Sequence, residues 1–401
     1  MHNGTILISF IILMVASCGV FSSDEPSCNP ESPAFKPDSD IWVGAYMGAW
    51  NHYAPPGGNW GHLPTEEIDW EAFTHMFYFS LLVNRDGTLS PIADYHNFSP
   101  DRISSITVAA HNHQTPVLFT VGGWGNYEGF SSAIRPENRQ NFIKNLISTL
   151  KTWGFDGIDL DMEPIEKADV ENYTIFVTEL RRELNKLTTP LGYRPMLTAA
   201  AEWQPEMFAE IADRFDQINL MTYDFSGPWE GWVSWHNAPV YNGGYYFEKN
   251  NRPLPSADRM VSTFMEAGVP AEKLGIGIVF YGYLWRGYVT EPLQNWPVPP
   301  DVTPNIPYHE IKRKFYRKNL YRWDEKAEAA YLSIPGDRPE HHKFISYDNE
   351  ASIRSKIRYV QEENLGGVFI WELGGGHFSD RPEGEKDPLL QSVKREALNY
   401  R

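Results

Sequence analysis

From Ile41 onward the chain switches repeatedly between two hydrophobic periods. Short runs rich in β-branched, aliphatic and aromatic residues recur eight times. They are IWVGAYM from Ile41, THMFYFS from Thr74, TPVLFTV from Thr115 and FDGIDLDME from Phe155. Then come YRPMLTAA from Tyr193, DQINLMTYD from Asp216, GIGIVFYG from Gly275 and GGVFIWE from Gly366. Between them lie segments with helical spacing of apolar positions, such as PENRQNFIKNLISTLKTWG from Pro136 and VENYTIFVTELRRELNKL from Val170. A strand followed by a helix, repeated eight times, predicts parallel strands joined by crossover helices. Eight such units close into a (β/α)8 TIM barrel, an α/β fold.

One connection is out of scale. More than eighty residues separate the seventh and eighth runs, and the part from Leu284 to Lys343 is rich in Pro, Tyr and Trp. It predicts a small α+β insertion subdomain. The barrel would then comprise residues 41–283 and 344–398, with 284–343 inserted between its seventh and eighth strands.

The N-terminus follows another pattern. Ile6 to Val20 is almost wholly apolar and ends in Ala16, Ser17 and Cys18. A membrane-spanning helix needs about 20 apolar residues, so residues 1–22 read as a secretory signal peptide, although Met1 to Thr5 carries no Lys or Arg. An uncleaved anchor is the alternative. Val15-Ala16-Ser17-Cys18 also resembles the lipobox of bacterial lipoproteins, which would make Cys18 a lipid attachment point and the chain's contact with a membrane. Residues 23–40, rich in Pro, Ser and acid, predict a flexible tether. The expected location is secreted or extracytoplasmic.

Composition narrows the function. The net charge of -17, with no basic block, excludes an ordinary nucleic-acid binder. Two cysteines, both before residue 30, exclude a disulfide-built scaffold. The pool of 14 Trp, 21 Tyr and 22 Phe exceeds what a core alone calls for, and flat apolar faces suit sugar rings.

The chemistry concentrates on the fourth run. Side chains alternate along a strand, so Ile158, Leu160 and Met162 share one face and Asp159, Asp161 and Glu163 the other. Three acids converging inside a barrel repel one another and lose hydration, which raises at least one pKa and favours a shared proton. The row lies at the carboxyl end of its strand, where barrel enzymes place catalysis. Such oxygens would also suit Mg2+ or Ca2+, but the row reads first as catalytic, with no metal and no cofactor expected. By the same parity Asn219, Met221 and Tyr223 face inward on the sixth strand. Asp156 has the opposite parity to Asp159 and is expected to serve structure. His111 and His113, with no third ligand nearby, read as a solvated helix end, as do His341 and His342 for their loop.

The pattern D-x-x-D-x-D-x-E, here DGIDLDME, resembles the signature of glycoside hydrolase family 18, the chitinase family. Met221-Thr222-Tyr223-Asp224 resembles its M-x-Y-D. Thr120-Val121-Gly122-Gly123 is similar to its S-x-G-G. Trp371 ends the eighth strand, where the family keeps a Trp, and the insertion matches the family's insertion domain. The resemblance covers roughly residues 41 to 398. It implies substrate-assisted hydrolysis of β-1,4-linked N-acetylglucosamine polymers. Glu163 would be general acid and base, Asp161 would hold the substrate acetamide, Asp159 would share a proton with Asp161, and Tyr223 would donate to the acetamide oxygen. Asp224 would bind a sugar hydroxyl or steady Asp161, and Met221, Trp371, Gly122 and Gly123 would line the substrate site. By position alone Tyr46 at the end of the first strand and Tyr281 at the end of the seventh are expected to line the cleft too, and Trp124 to serve as a sugar platform or to pack the turn. Tyr347 and Asp348 resemble a family segment that follows the insertion. An endo-β-N-acetylglucosaminidase acting on N-glycans, and a chitin-binding lectin of the same fold, remain open alternatives. One departure bears on specificity. Family members often carry an aromatic residue and then Pro after the acid, whereas Pro164 follows Glu163 directly.

Overall fold

A computed structural model describes residues 32–52, 61–91 and 99–398. The apolar N-terminal run, Cys18 and residues 23–31 of the expected tether lie outside them. The barrel strands are β1 (Trp42–Gly48), β2 (His75–Val83), β3 (Val117–Gly122), β4 (Gly157–Asp161), β5 (Met196–Ala201), β6 (Gln217–Leu220), β7 (Leu274–Val279) and β8 (Gly367–Trp371). Each pairs in parallel with its chain neighbours, and β1 closes the ring by pairing with both β8 and β2. A short strand, Leu89–Pro91, lies outside the ring, antiparallel to the end of β2.

The helices form where apolar spacing and end signals agree. Helix α1 spans Pro100–Asn112, α2 Pro136–Trp153, α3 Val170–Leu184 and α4 Glu350–Glu362. In α2, Pro136 opens the first turn and Gly154 closes the last in a left-handed conformation, a pairing that needs no backbone N–H at the start and no Cβ at the end. Asn349 caps α4 through the backbone N–H groups of Ala351 and Ser352, with Ser352 capping back.

Strand parity sorts the core into two layers. Ile158, Leu160 and Met162 pack outward with Phe142, Leu146, Phe176 and Leu180 of α2 and α3. Each such buried side chain stabilises the fold by about 1.5–3 kcal/mol. Inside the ring a second cluster gathers Tyr46, Phe77, Phe79, Leu118, Met196 and Phe369, with Met221, Tyr223 and Trp371 resting on its upper side.

The insertion is a five-stranded antiparallel sheet in the order Asp301–Pro307, Tyr281–Arg286, Lys343–Tyr347, Ala329–Ile334, Tyr321–Asp324. It therefore reaches beyond residues 284–343 at both ends. The segments entering and leaving it pair with each other, Gly282 opposite Tyr347, so the sheet starts as soon as the chain leaves β7. Tyr281, placed by the sequence at the end of the seventh barrel strand, instead opens this sheet.

The tether also ends earlier than expected. The Arg194 N–H donates to the Pro33 carbonyl at 2.8 Å, and Phe35 packs edge-on to Tyr193 and His75. Residues 32–40 thus dock on the amino-terminal end of the barrel, because Phe35 finds an aromatic seat there.

Candidate active site at the carboxyl end of the barrel

Asp159 lies deepest, fully buried between neighbouring strands. Its Oδ2 accepts from the Tyr46 hydroxyl of β1 at 2.8 Å and from Thr120 Oγ1 of β3 at 3.0 Å. Its Oδ1 accepts from Thr198 Oγ1 of β5 at 2.6 Å. Burial raises its pKa, and these three hydrogen bonds oppose the rise.

Asp161 sits one layer up. It is buried, and its carboxyl pKa stands well above the ordinary range, first through burial and then through Glu163 and Asp159. Glu163 is only partly buried. Its pKa is pushed up to about 7, chiefly by burial and then by the charges of Glu202 and Asp224; hydrogen bonds from Asp161 and from the Trp124 backbone N–H oppose the shift. Asp161 and Glu163 are joined by a hydrogen bond, which requires a proton between the two carboxyls. Among the described residues no ion pair reaches this row. Its charge is managed by protons and hydrogen bonds alone.

Two glycines allow that packing. Gly122 and Gly123 hold φ of 102° and 103°, which favour glycine. A Cβ on Gly122 would stand 2.1 Å from the Asp161 carbonyl oxygen, and one on Gly123 would meet the Phe79 ring at 2.7 Å. The Gly123 N–H donates to the Asp161 carbonyl at 2.8 Å, fixing the β3 loop to β4.

The opposite wall comes from β6. Tyr223 lies over Gly277, where a Cβ would come within 2.5 Å of its ring, and its hydroxyl pKa is raised first by burial and then by Asp161. Asp224 takes a left-handed φ of 58° and receives the Tyr281 hydroxyl at 2.5 Å, with Tyr283 donating as well. Asp224 keeps exposed surface, yet the protein around its carboxylate raises its pKa by burial. The Trp371 ring makes edge contacts with Phe79 at 4.8 Å and Tyr46 at 5.3 Å, leaving a half-buried flat face as the floor. Met221 fills the side between them.

The whole arrangement rides on a barrel that a family model recognises. The model for glycosyl hydrolases family 18 matches residues 43–376. The chain belongs to this family. It is a glycoside hydrolase of the chitinase type. It is 30% identical to chitinase A1 of Niallia circulans over 66% of its own length, spanning 41% of that protein. With chitinase 1 of Aphanocladium album it shares 26% identity over 91% of its length and 90% of the relative's. The group IV chitinase of Ostrinia furnacalis, 24% identical, superposes with a TM-score of 0.75 over 89% of this chain and 99% of that one, a likeness of fold.

In this family-18 chain the structure brings together Asp159, Asp161, Glu163, Tyr223, Asp224, Met221, Trp371, Tyr46, Tyr281, Gly122 and Gly123. Trp124 touches the site through its backbone N–H, while the residue as a whole is 85% exposed. His111 is not a solvated helix end: its Nε2 lies 2.7 Å from Asp156 Oδ2, which also accepts from the Val117 N–H. His341 pairs with Asp337 on the surface. Asp348 lies behind β7, where it accepts from the Val279 N–H and from the buried Lys356 ammonium at 2.6 Å. The sequence reading missed Thr198, Glu202, Tyr283 and Asn237. Asn237 receives the Asp224 N–H at 3.0 Å. It missed Glu372 too, buried after β8 and pushed up to about 8 by burial, a rise that hydrogen bonds from the Gly374 and Gly375 N–H groups oppose.

Proposed function

We propose that the chain hydrolyses β-1,4-linked N-acetylglucosamine polymers by substrate-assisted catalysis. The observation that carries this reading is the row of three carboxyls at the barrel mouth that meets no cation among the described residues, in which Glu163, partly buried and with its pKa pushed up to about 7, is hydrogen-bonded to Asp161. Protonated Glu163 delivers its proton to the glycosidic oxygen as the C1–O bond breaks. The acetamide oxygen of the same sugar forms the new bond to C1. No enzyme carboxylate attacks. The protonated Asp161 is a donor beside the acetamide group, and Tyr223 supplies a hydroxyl where charge shifts during the reaction. Trp371 lies under the sugar as a flat apolar floor. Glu163, now ionised, takes a proton from water as the water opens the intermediate, returning the acid to its first state.

Ile6 to Val20 supports export of the protein, cleaved ahead of the barrel or anchored through Cys18. N-terminal mass analysis of mature protein from its producing cells tests this, and an intact Met1 terminus would refute both cleavage and attachment through Cys18.

The activity is tested by mass spectrometry of products from an N-acetylglucosamine hexamer and, in parallel, a high-mannose glycopeptide. Shortened hexamers that vanish with Glu163→Gln are the expected result. Glycan release alone would transfer the reading to an endoglycosidase. Binding without any product would refute hydrolysis.

A further inference from the structure

Three tryptophans are exposed among the described residues, each in a loop that follows a barrel strand. Trp124 follows β3 and is 85% exposed; Trp203 follows β5 at 56%; Trp229 lies beyond β6 at 48%. Trp203 draws attention because of its neighbours. Strand β5 ends at Ala201, Glu202 and Trp203 follow, and Gln204 turns the chain in the left-handed region at φ 70°. The Gln204 side chain donates to the Ile165 carbonyl at 2.8 Å. That bond ties the Glu202-Trp203 pair to the segment directly after Glu163, where Pro164 stands and no aromatic residue follows the acid.

Glu202 is exposed and has no ion pair or hydrogen-bonded side-chain partner among the described residues. Its charge is felt by both Glu163 and Asp161. The pKa of Glu202 is itself raised, first by partial burial of its carboxylate and then by Glu166. Beside the acid there is therefore an open aromatic face next to two carboxylates that lack a cation. A neutral sugar would satisfy the face and leave the charge unmatched. A sugar bearing an ammonium would satisfy both.

We propose that Glu202 and Trp203 receive the leaving-group sugar, and that Glu202 selects a unit with a free 2-amino group, a glucosamine. The inference rests on the function proposed above. In that mechanism the sugar whose bond is cut must keep its acetamide, because the acetamide is the nucleophile. The leaving sugar has no such duty, so its C2 substituent is open to selection. The preferred substrate is then partly deacetylated chitin, cut between an N-acetylglucosamine and a following glucosamine.

The test uses the full protein on partly deacetylated chitin of random sequence, with sequencing of the new chain ends by mass spectrometry. New reducing ends report the cut sugar, and new non-reducing ends report the leaving sugar. The expected result is N-acetylglucosamine at the new reducing ends and glucosamine enriched, relative to the polymer, at the new non-reducing ends. Glu202→Gln should lower that enrichment about fivefold, the size of one exposed ion pair. Because Glu202 also acts on Glu163, the variant changes the overall rate, and the ratio of end types removes that effect. Trp203→Ala should lower kcat/KM for both end types together. Glucosamine at the new reducing ends would overturn the acetamide mechanism itself. N-acetylglucosamine there, with no enrichment at the other end or none that depends on Glu202, would overturn this inference alone. Unchanged kcat/KM in Trp203→Ala would remove the platform.

Discussion

The two ends of the barrel treat carboxylates in opposite ways. At the amino-terminal end Asp216, just ahead of β6, is clasped by Arg181 at 3.2 Å and Arg194 at 2.5 Å and also accepts the Leu197 N–H. Asp156, just ahead of β4, pairs with His111. At the carboxyl end the same β4 continues into Asp159, Asp161 and Glu163, and no cation meets them among the described residues. One end spends its charges on holding strands and helices together. The other leaves charges uncompensated, which costs stability and keeps carboxyls protonated near neutral pH. The contrast locates chemistry without reference to any relative, since a strand that only had to fold would be neutralised at both ends.

The contrast breaks most sharply at Glu163. Glu163→Gln removes the proton donor while keeping size and hydrogen-bonding capacity. Turnover of N-acetylglucosamine oligomers should fall on the order of 10²- to 10⁴-fold, with oligosaccharide Kd by calorimetry close to wild type. Near-normal turnover would remove the row from catalysis. Tyr223→Phe comes next. Loss of one donor aimed at developing charge should lower kcat by about 10²-fold with a much smaller change in Kd; equal losses in both would mean that Tyr223 only shapes the pocket.

The opposite end should respond the opposite way. Asp216→Ala strands two guanidinium groups against buried backbone, and a broken buried pair costs about 3 kcal/mol. Thermal melting should drop by several degrees while turnover well below the transition stays at the wild-type rate. A variant that melts normally but turns over slowly would abolish the division of labour between the two ends.

Much of this contrast was legible in the chain itself, and the rest was hidden for physical reasons. Alternation along β4 puts Ile158, Leu160 and Met162 on the face opposite Asp159 and Asp161, and the outer and inner core clusters separate along that line. Thr198 was invisible because a threonine in an apolar strand has no pattern of its own; it matters only because β5 lies beside β4 in register, Thr198 opposite Asp159. Glu202 was hidden for a related reason, since its charge acts across space on Glu163 rather than along a motif. Tyr281 was misplaced because GIGIVFYG runs without a turn signal from β7 into the insertion sheet. The docked residues 32–40 have a tether's composition, and only the seat between Tyr193 and His75 gives Phe35 something to bury against.

The subtlest consequence concerns pH and couples stability to activity at the uncompensated end. Glu163 has a pKa of about 7 in the folded chain against 4.5 for an ordinary glutamate. Its folded pKa is raised, so the folded state holds the proton more tightly than the unfolded chain does. Its contribution to stability is fully present below the ordinary value and is lost as pH rises toward 7. Once pH has passed well above 7 the loss is complete, on the order of 3 kcal/mol. Glu163→Gln carries no such penalty. The inactive variant should therefore melt a few degrees above wild type at pH 8, and the difference should shrink to nothing as pH falls to 4. Wild-type turnover should fall over the same window, because the first step needs protonated Glu163. Paired melting curves and pH–rate profiles check both halves. A stability gain that does not vary between pH 4 and 8 would mean that the strain at the mouth resides in packing around the side chain rather than in its charge.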